Sequence, residues 1–247
     1  MGDYIIEKKG HIVCFTINRE KKRNAVNDEV MNGLQRALEE AKHPTIKALL
    51  IKGAGVEAFC SGGDLSVFHK LFTAEEAFGM LSKMGKILYT LSTFEKPTFC
   101  YINGLAVGGG AEIATACDIR VIQKSGRVGF IQGALGITTG WGGGTLLMKK
   151  LQRDMALQML LSSSRYDADS LKNMGFVREI VDSERAAIEY FTALTHHSLD
   201  VMMAYKKMML EDANNLFESM KKEIEHCSVL WATKEHHQAV ASFLQKK

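Results

Sequence analysis

Along the chain, short apolar runs ending in glycines alternate with longer segments whose apolar residues recur every third or fourth position, a pattern of strands and amphipathic helices. Residues 4–7 and 11–17, joined by a turn at Lys9-Gly10, read as a strand pair. After a charged loop, Asn27 or Asp28 caps a helix carrying Val30, Leu34, Leu38 and Ala41 on one side, and residues 48–51 form a buried strand. Asp64 closes a glycine turn, 59–65, by capping a helical segment. Thr73 and Glu76 have capping-box spacing ahead of a long helix that presents Met80, Met84, Ile87, Leu88 and Leu91. Glu95-Lys96-Pro97 stops that helix, and residues 98–102 form a strand leading into Gly108-Gly109-Gly110 and a helix from Ala111. Residues 118–122 and 128–130 are further short strands, and 136–144 is a third glycine-dense loop, with Trp141 in its midst. From Gln152 the pattern is mainly helical, with Gly175 as a stop before 176–181, and after Asp182 only helices are expected. The fold class is therefore α/β.

Composition narrows the setting. The chain has 247 residues and 46% hydrophobic content, enough for one large core. A net charge of +3 supplies no global field for nucleic acid or a membrane surface. The five cysteines are scattered and never occur as Cys-x-x-Cys, so buried reduced thiols are expected, with neither a disulfide framework nor a metal site. With no signal-like start and no apolar run of membrane-spanning length, the chain reads as soluble and cytoplasmic. The pairs Lys206-Lys207 and Lys221-Lys222 read as solvated helix faces, and His196-His197 and His236-His237 as surface pairs.

The chemistry concentrates at the triple glycine. Glycines before a helix let a ligand reach the main chain, and the free amides of the first helical turn sit at the positive end of a helix dipole. Tight helix–strand packing is the plainer reading of the same glycines. Glu112 is the ionisable side chain of that first turn. If Gly62-Gly63 and Gly108-Gly109-Gly110 come from neighbouring strands of one sheet, both present N–H groups at one sheet end. Two donors converging on a carbonyl oxygen stabilise an enolate or tetrahedral anion. Other chemistries are poorly supplied: there is no Gly-x-Ser-x-Gly elbow, no His-Glu-x-x-His and no phosphate-loop Lys-Ser/Thr.

The ordered set Arg23-Asn24-Ala25-Val26-Asn27, Ala58 through Leu65, Ile102 through Glu112, Cys117-Asp118-Ile119-Arg120 and Leu135 through Gly143 resembles the enoyl-CoA hydratase/isomerase (crotonase) superfamily. That resemblance implies a spiral of strand–strand–helix repeats over residues 1–182. It also implies a helical region over 183–247 that serves assembly, as a homotrimer or dimer of trimers, and covers the active site. It implies acyl-CoA substrates, with no cofactor beyond the coenzyme A of the substrate. The amides of Gly63 and Gly109 would hold the thioester oxygen, within a turn formed by Ser61, Gly62, Asp64 and Leu65. Arg23, Asn24 and Ala25 would lie along the nucleotide arm, Lys246 would reach it from a neighbouring subunit, and Trp141 would line the acyl side. The family's hydratases use two glutamates on water. The first matches Glu112, but the second falls on Gln132, which orients water without accepting its proton.

The leading expectation is thus an enoyl-CoA hydratase/isomerase type of lyase or isomerase, with Glu112 as acid/base and Gln132 as a polar orienter. Similarity to the ethylmalonyl-CoA decarboxylase branch, through Gly140-Trp141-Gly142-Gly143, Phe59 through Leu65 and Ala111 through Asp118, supports a malonyl-type decarboxylase as the alternative. A non-catalytic RNA-binding homologue, resting on the two lysine pairs, is a third and weaker one.

Overall fold

The computed structural model describes residues 2–210 and 215–245. Strand β1 (Tyr4–Lys9) runs antiparallel to β2 (Ile12–Ile17). Helix α1 (Asp28–Ala41) begins where the Asn27 side chain accepts from the Val30 amide, and it buries Val30, Met31, Leu34, Leu38 and Ala41. Each such large side chain contributes about 1.5–3 kcal/mol, which outweighs the roughly 1 kcal/mol that Gly33 costs inside a helix. Gly33 is there for closeness, since a Cβ would lie 2.4 Å from the Tyr4 ring.

Next, β3 (Ala48–Gly53) pairs parallel with β2, and the chain turns into β4 (Ala58–Cys60), which belongs to a different sheet. Helix α2 (Leu65–Phe68) is capped by Asp64, and α3 (Ala74–Ser92) starts with both halves of the Thr73–Glu76 capping box formed. Strand β5 (Thr98–Ile102) returns to lie beside β3, β6 (Leu105–Val107) crosses to lie beside β4, and α4 (Gly109–Ala116) follows at once. The strand over 98–102 therefore does not run into the glycines. Asn103-Gly104 breaks it, and a separate three-residue strand, too short to show a periodicity, delivers the chain to Gly108. Strands β7 (Ile119–Gln123) and β8 (Arg127–Gly129) repeat the move, followed by a 3-10 turn at Gln132–Leu135 and α5 (Gly143–Lys150).

Beyond these come α6 (Arg153–Ser162), β9 (Tyr166–Asp167), α7 (Ala168–Asn173) and β10 (Glu179–Val181). Four helices end the described chain: α8 (Glu184–Leu194), α9 (Leu199–Leu210), α10 (Leu216–Trp231) and α11 (Lys234–Gln245). The result is a six-stranded sheet ordered β1-β2-β3-β5-β7-β10 and a four-stranded sheet ordered β4-β6-β8-β9. Within the second, β4, β6 and β8 are parallel, so their C-terminal ends share one edge. No helix among the described residues is long and apolar enough to cross a membrane.

All five cysteines are buried free thiols, as expected. Lys206 departs from its expected solvated face. It is 5% exposed and pairs with Asp118, which also accepts from the Thr98 amide and hydroxyl. Helix α9 is thereby tied to the core, where its neighbour in the chain, Lys207, is exposed.

Two buried asparagines brace the crossovers between sheets. Asn24 donates to the carbonyls of Ala54 and Ala58 and accepts from the Arg19 amide. Asn103 accepts from the Gly53 amide at 2.9 Å and donates to the Gly55 carbonyl at 2.7 Å. Removing it strands a buried amide. Asn103→Ala is expected to lower stability by about 2 kcal/mol in urea denaturation; a midpoint equal to that of the parent would show that the crossover does not depend on this brace.

Candidate active site

The parallel pairing of β4 with β6 brings the turns after them together, and a Cβ built on Gly62 would stand 3.2 Å from the Gly109 amide nitrogen. Gly63 bridges to Val26 in parallel fashion: the Val26 amide donates to the Gly62 carbonyl and the Asp64 amide to the Val26 carbonyl. This uses the residues on either side of Gly63 and turns its own N–H away from Val26. Gly109 is the first residue of α4, where a helical amide has no intrahelical acceptor. Neither amide donates to another described residue, and both glycines line one cavity of about 610 Å³. Gly108 has φ +55 and ψ −122, a combination open essentially to glycine. At Gly109 the requirement is closeness, because a Cβ would sit 2.1 Å from the Trp141 ring.

Trp141 is a wall of the cavity, with its ring packed against the turn that carries the free amide. Phe68, Leu81, Val107, Ile131 and Ile137 supply further apolar lining. Arg23, Ala25, Ser61, Gly62, Asp64 and Leu65 also line it, with Lys21, Lys22 and Arg23 exposed around it. Asn24 does not belong to this lining: its carboxamide is consumed by the backbone brace, which corrects its assignment to the ligand. Lys246 lies outside the described residues.

The acidic residues lining the cavity are Asp64 and Glu112. Asp64 is committed elsewhere. Burial acts to raise its carboxyl, but Ser66 and the Arg19 guanidinium, 2.8 Å away, outweigh that and hold it below its ordinary range. Glu112 is 2% exposed, and its Oε1 accepts from the amides of Trp141 and Gly143, each at 3.1 Å. Burial, followed by the negative charge of Glu223, pushes it up to about 8 against the pull of those amides, which favours the protonated carboxyl. Glu57 and Glu75 are exposed and are not part of the lining, so neither supplies a second carboxylate beside Glu112.

Gln132 stands beside Gly108, whose built Cβ would come within 4.0 Å of its carboxamide. It is 8% exposed, and neither its Oε1 nor its Nε2 has a hydrogen-bond partner. Leaving both ends of a buried amide unpaired costs about 1–3 kcal/mol each, which marks a place where a ligand or water completes the bonding.

Two residues escaped sequence reasoning. His236, expected at the surface, is 2% exposed and lines the cavity. Its Nδ1 donates to the Leu135 carbonyl at 2.7 Å, and burial holds the ring below its ordinary value despite that bond. Glu223 receives the Gly144 and Thr145 amides on its two oxygens. Neither has a local signal, since each is brought in from the C-terminal helices by packing.

The chain belongs to the enoyl-CoA hydratase/isomerase family, whose model matches residues 7–247. It is similar to the short-chain-enoyl-CoA hydratase of Clostridium acetobutylicum, at 34% identity over 184 residues, covering 74% of this chain and 70% of that protein. It is also similar to the ethylmalonyl-CoA decarboxylase of Pongo abelii, at 27% identity over 97% of this chain and 82% of that one. Among solved structures, the carnitinyl-CoA hydratase of Mycobacterium avium superposes with a TM-score of 0.88 at 27% identity, covering 100% of this chain and 97% of that one.

The state of Glu112 has a consequence for stability. Its carboxyl is raised in the folded chain from an ordinary 4.5 to about 8, so between those values the folded state holds a proton that the unfolded state has released. Stability from this group is present below pH 4.5 and is lost as pH rises through that window, by at most about 1.4 kcal/mol per pH unit. Urea midpoints measured from pH 5 to 9 are expected to fall more steeply for the parent than for Glu112→Gln; parallel curves would mean that Glu112 is ionised in the folded protein.

Proposed function

We propose that the protein acts on coenzyme A thioesters whose α-carbon bears a carboxylate, removing carbon dioxide and protonating the resulting enolate. The observation that carries this reading is the presence of one buried carboxyl raised well above its ordinary range, Glu112, and one unpaired carboxamide, Gln132, in a cavity bounded by free main-chain amides. The thioester oxygen accepts from the Gly63 and Gly109 amides, which take up negative charge as the bond to the carboxylate breaks. The electron pair of that bond passes into the thioester as an enolate, and carbon dioxide leaves. Glu112 then gives its proton to the α-carbon and is reprotonated from solvent, so one proton is consumed per turnover.

Gln132 suits such a substrate for an electrostatic reason. A glutamate at that position would repel the substrate carboxylate, whereas Nε2 donates to it without adding charge. The apolar walls leave the carboxylate poorly solvated, which favours its departure. Lys21, Lys22 and Arg23 offer positive charge for the phosphates of the coenzyme. The family membership and the decarboxylase relative are consistent with this chemistry.

The hydratase relative at 34% identity supports a second reading, hydration or double-bond isomerisation of enoyl-CoA. Isomerisation needs only one group to take and return a proton, which Glu112 supplies once ionised. Hydration by a pair of carboxylates lacks its second member, because Gln132 accepts no proton. In either case we also propose assembly into trimers or dimers of trimers, since Tyr205, Met208 and Met209 on α9 and Leu161 on α6 are uncovered apolar side chains.

The test offers crotonyl-CoA, a 3-enoyl-CoA, methylmalonyl-CoA and ethylmalonyl-CoA to the protein and identifies products by mass. Loss of carbon dioxide from a malonyl-type thioester is expected, at a rate that declines as pH rises through about 8 and falls by about 10²–10⁴ in Glu112→Gln. Gln132→Glu is expected to weaken that activity. Water gain or isomerisation with the malonyl-type thioesters untouched would overturn the decarboxylase reading in favour of the second.

A further inference from the structure

Helix α5 is preceded by Gly142, which has no side chain to cap it, yet the amides of Gly143, Gly144 and Thr145 in its first turn are all taken. Two carboxyl groups from other helices do the capping. Glu112 of α4 accepts from Trp141 and Gly143, and Glu223 of α10 accepts from Gly144 at 3.1 Å and Thr145 at 2.7 Å. The two acids thus sit on consecutive amides of one helix start. The positive end of a helix amounts to roughly half an elementary charge, enough to favour one carboxylate but not two side by side.

The two positions are unequal. Glu112 is buried between Gly143, whose Cβ would lie 2.3 Å from its Cγ, and the Trp141 loop. Glu223 is half-buried and lines a second cavity of about 510 Å³, together with Lys222 and His226 of its own helix. That cavity shares Gln132, Ile137 and Thr138 with the first. A negative charge costs less where water and a lysine are at hand, so of the two carboxyls it is the enclosed Glu112 whose ionisation burial disfavours.

We propose that Glu223 is a positioning residue for Glu112: it anchors the start of α5, and with it the Trp141–Gly143 amides that hold Glu112, while its charge keeps Glu112 a proton donor. The inference rests on the reading of Glu112 as the acid that quenches an enolate.

The other ionisable groups around Glu112 do not take this role. From α10 the Cys227 thiol also faces the first cavity, but burial pushes it far above neutral pH and its Sγ donates to the Thr138 carbonyl, so it brings no charge. Lys150, at the far end of α5, is spent on the carbonyls of Ala116 and Cys117. From α11 His236 is held below its ordinary value and bonded to Leu135, and Asp64 before α2 is bound to Arg19 and Ser66.

The experiment is an infrared titration of the substrate-free protein, following the protonated-carboxyl band that Glu112→Gln removes, alongside the pH profile of turnover. In Glu223→Gln, which keeps an acceptor for one amide but drops the charge, the band midpoint is expected to move down by about 1–2 pH units. The alkaline limb of kcat should move with it, giving roughly four-fold lower kcat at pH 7 for a shift of about 1.5 units, with KM little changed. Glu223→Asp, which retains the charge, should keep the midpoint near that of the parent. A role confined to propping α5 would lower kcat equally at every pH with the midpoint unmoved, and that result overturns the inference. A band that moves in a protein that decarboxylates nothing would sustain the role of Glu223 while removing the proposed reaction.

Discussion

The structure depends on one pairing: β4 beside β6, parallel, in the smaller sheet. Because the strands point the same way, the two glycine turns that follow them open at a single edge, with Gly62 against the Gly109 amide. Much of the fold secures that edge. Asn24 and Asn103 fix the places where the chain passes from one sheet to the other, Val26 bridges the segment at Gly63, and Trp141 lies on Gly109. A few tenths of an ångström matter here, since Gly109 has no room for a methyl group and Gly108 holds a backbone conformation unsuited to other residues.

Electrostatics completes the site with little charge. Burial disfavours an ionised Glu112 and the neighbouring Glu223 disfavours it further, which raises its carboxyl to about 8. Gln132 faces the same space with both polar atoms unpaired. In the proposed reaction, a neutral acid and a neutral amide in one cavity with free main-chain donors would admit a substrate that brings its own negative charge. A pair of ionised carboxylates would exclude it. In the proposed decarboxylation the apolar walls would matter for the same reason, since a carboxylate deprived of water is easier to expel as carbon dioxide.

Much of this was legible in the sequence where the determinants are local. Asn27 and the Thr73–Glu76 box announce their helices because a cap involves residues three apart, and the glycine turns announce themselves because few other residues tolerate such geometry. Glu112 stood out as the first-turn acid after three glycines. Other features are set by contacts across the chain. Strand β6 is three residues long, too short for any periodicity. The family resemblance of the Arg23-Asn24-Ala25 loop implies a ligand contact at Asn24, but backbone carbonyls 30 and 34 residues away claim its amide. Lys206, His236 and Glu223 sit in helical sequence with ordinary solvated patterning, and only packing against Asp118, Leu135 and the start of α5 gives them partners. Buried polar pairings of this kind have no sequence period, so they are the part that composition and spacing miss.

The central claim is that two main-chain amides at one sheet edge hold a thioester oxygen as it gains charge, and it is tested most directly on a bound, unreactive thioester. Butyryl-CoA labelled with carbon-13 at its carbonyl reports the polarisation of that bond by isotope-edited infrared spectroscopy. The account predicts a carbonyl stretch at clearly lower frequency when bound than when free, because two donors lengthen the bond. A bound carbonyl with its free-solution frequency would contradict it.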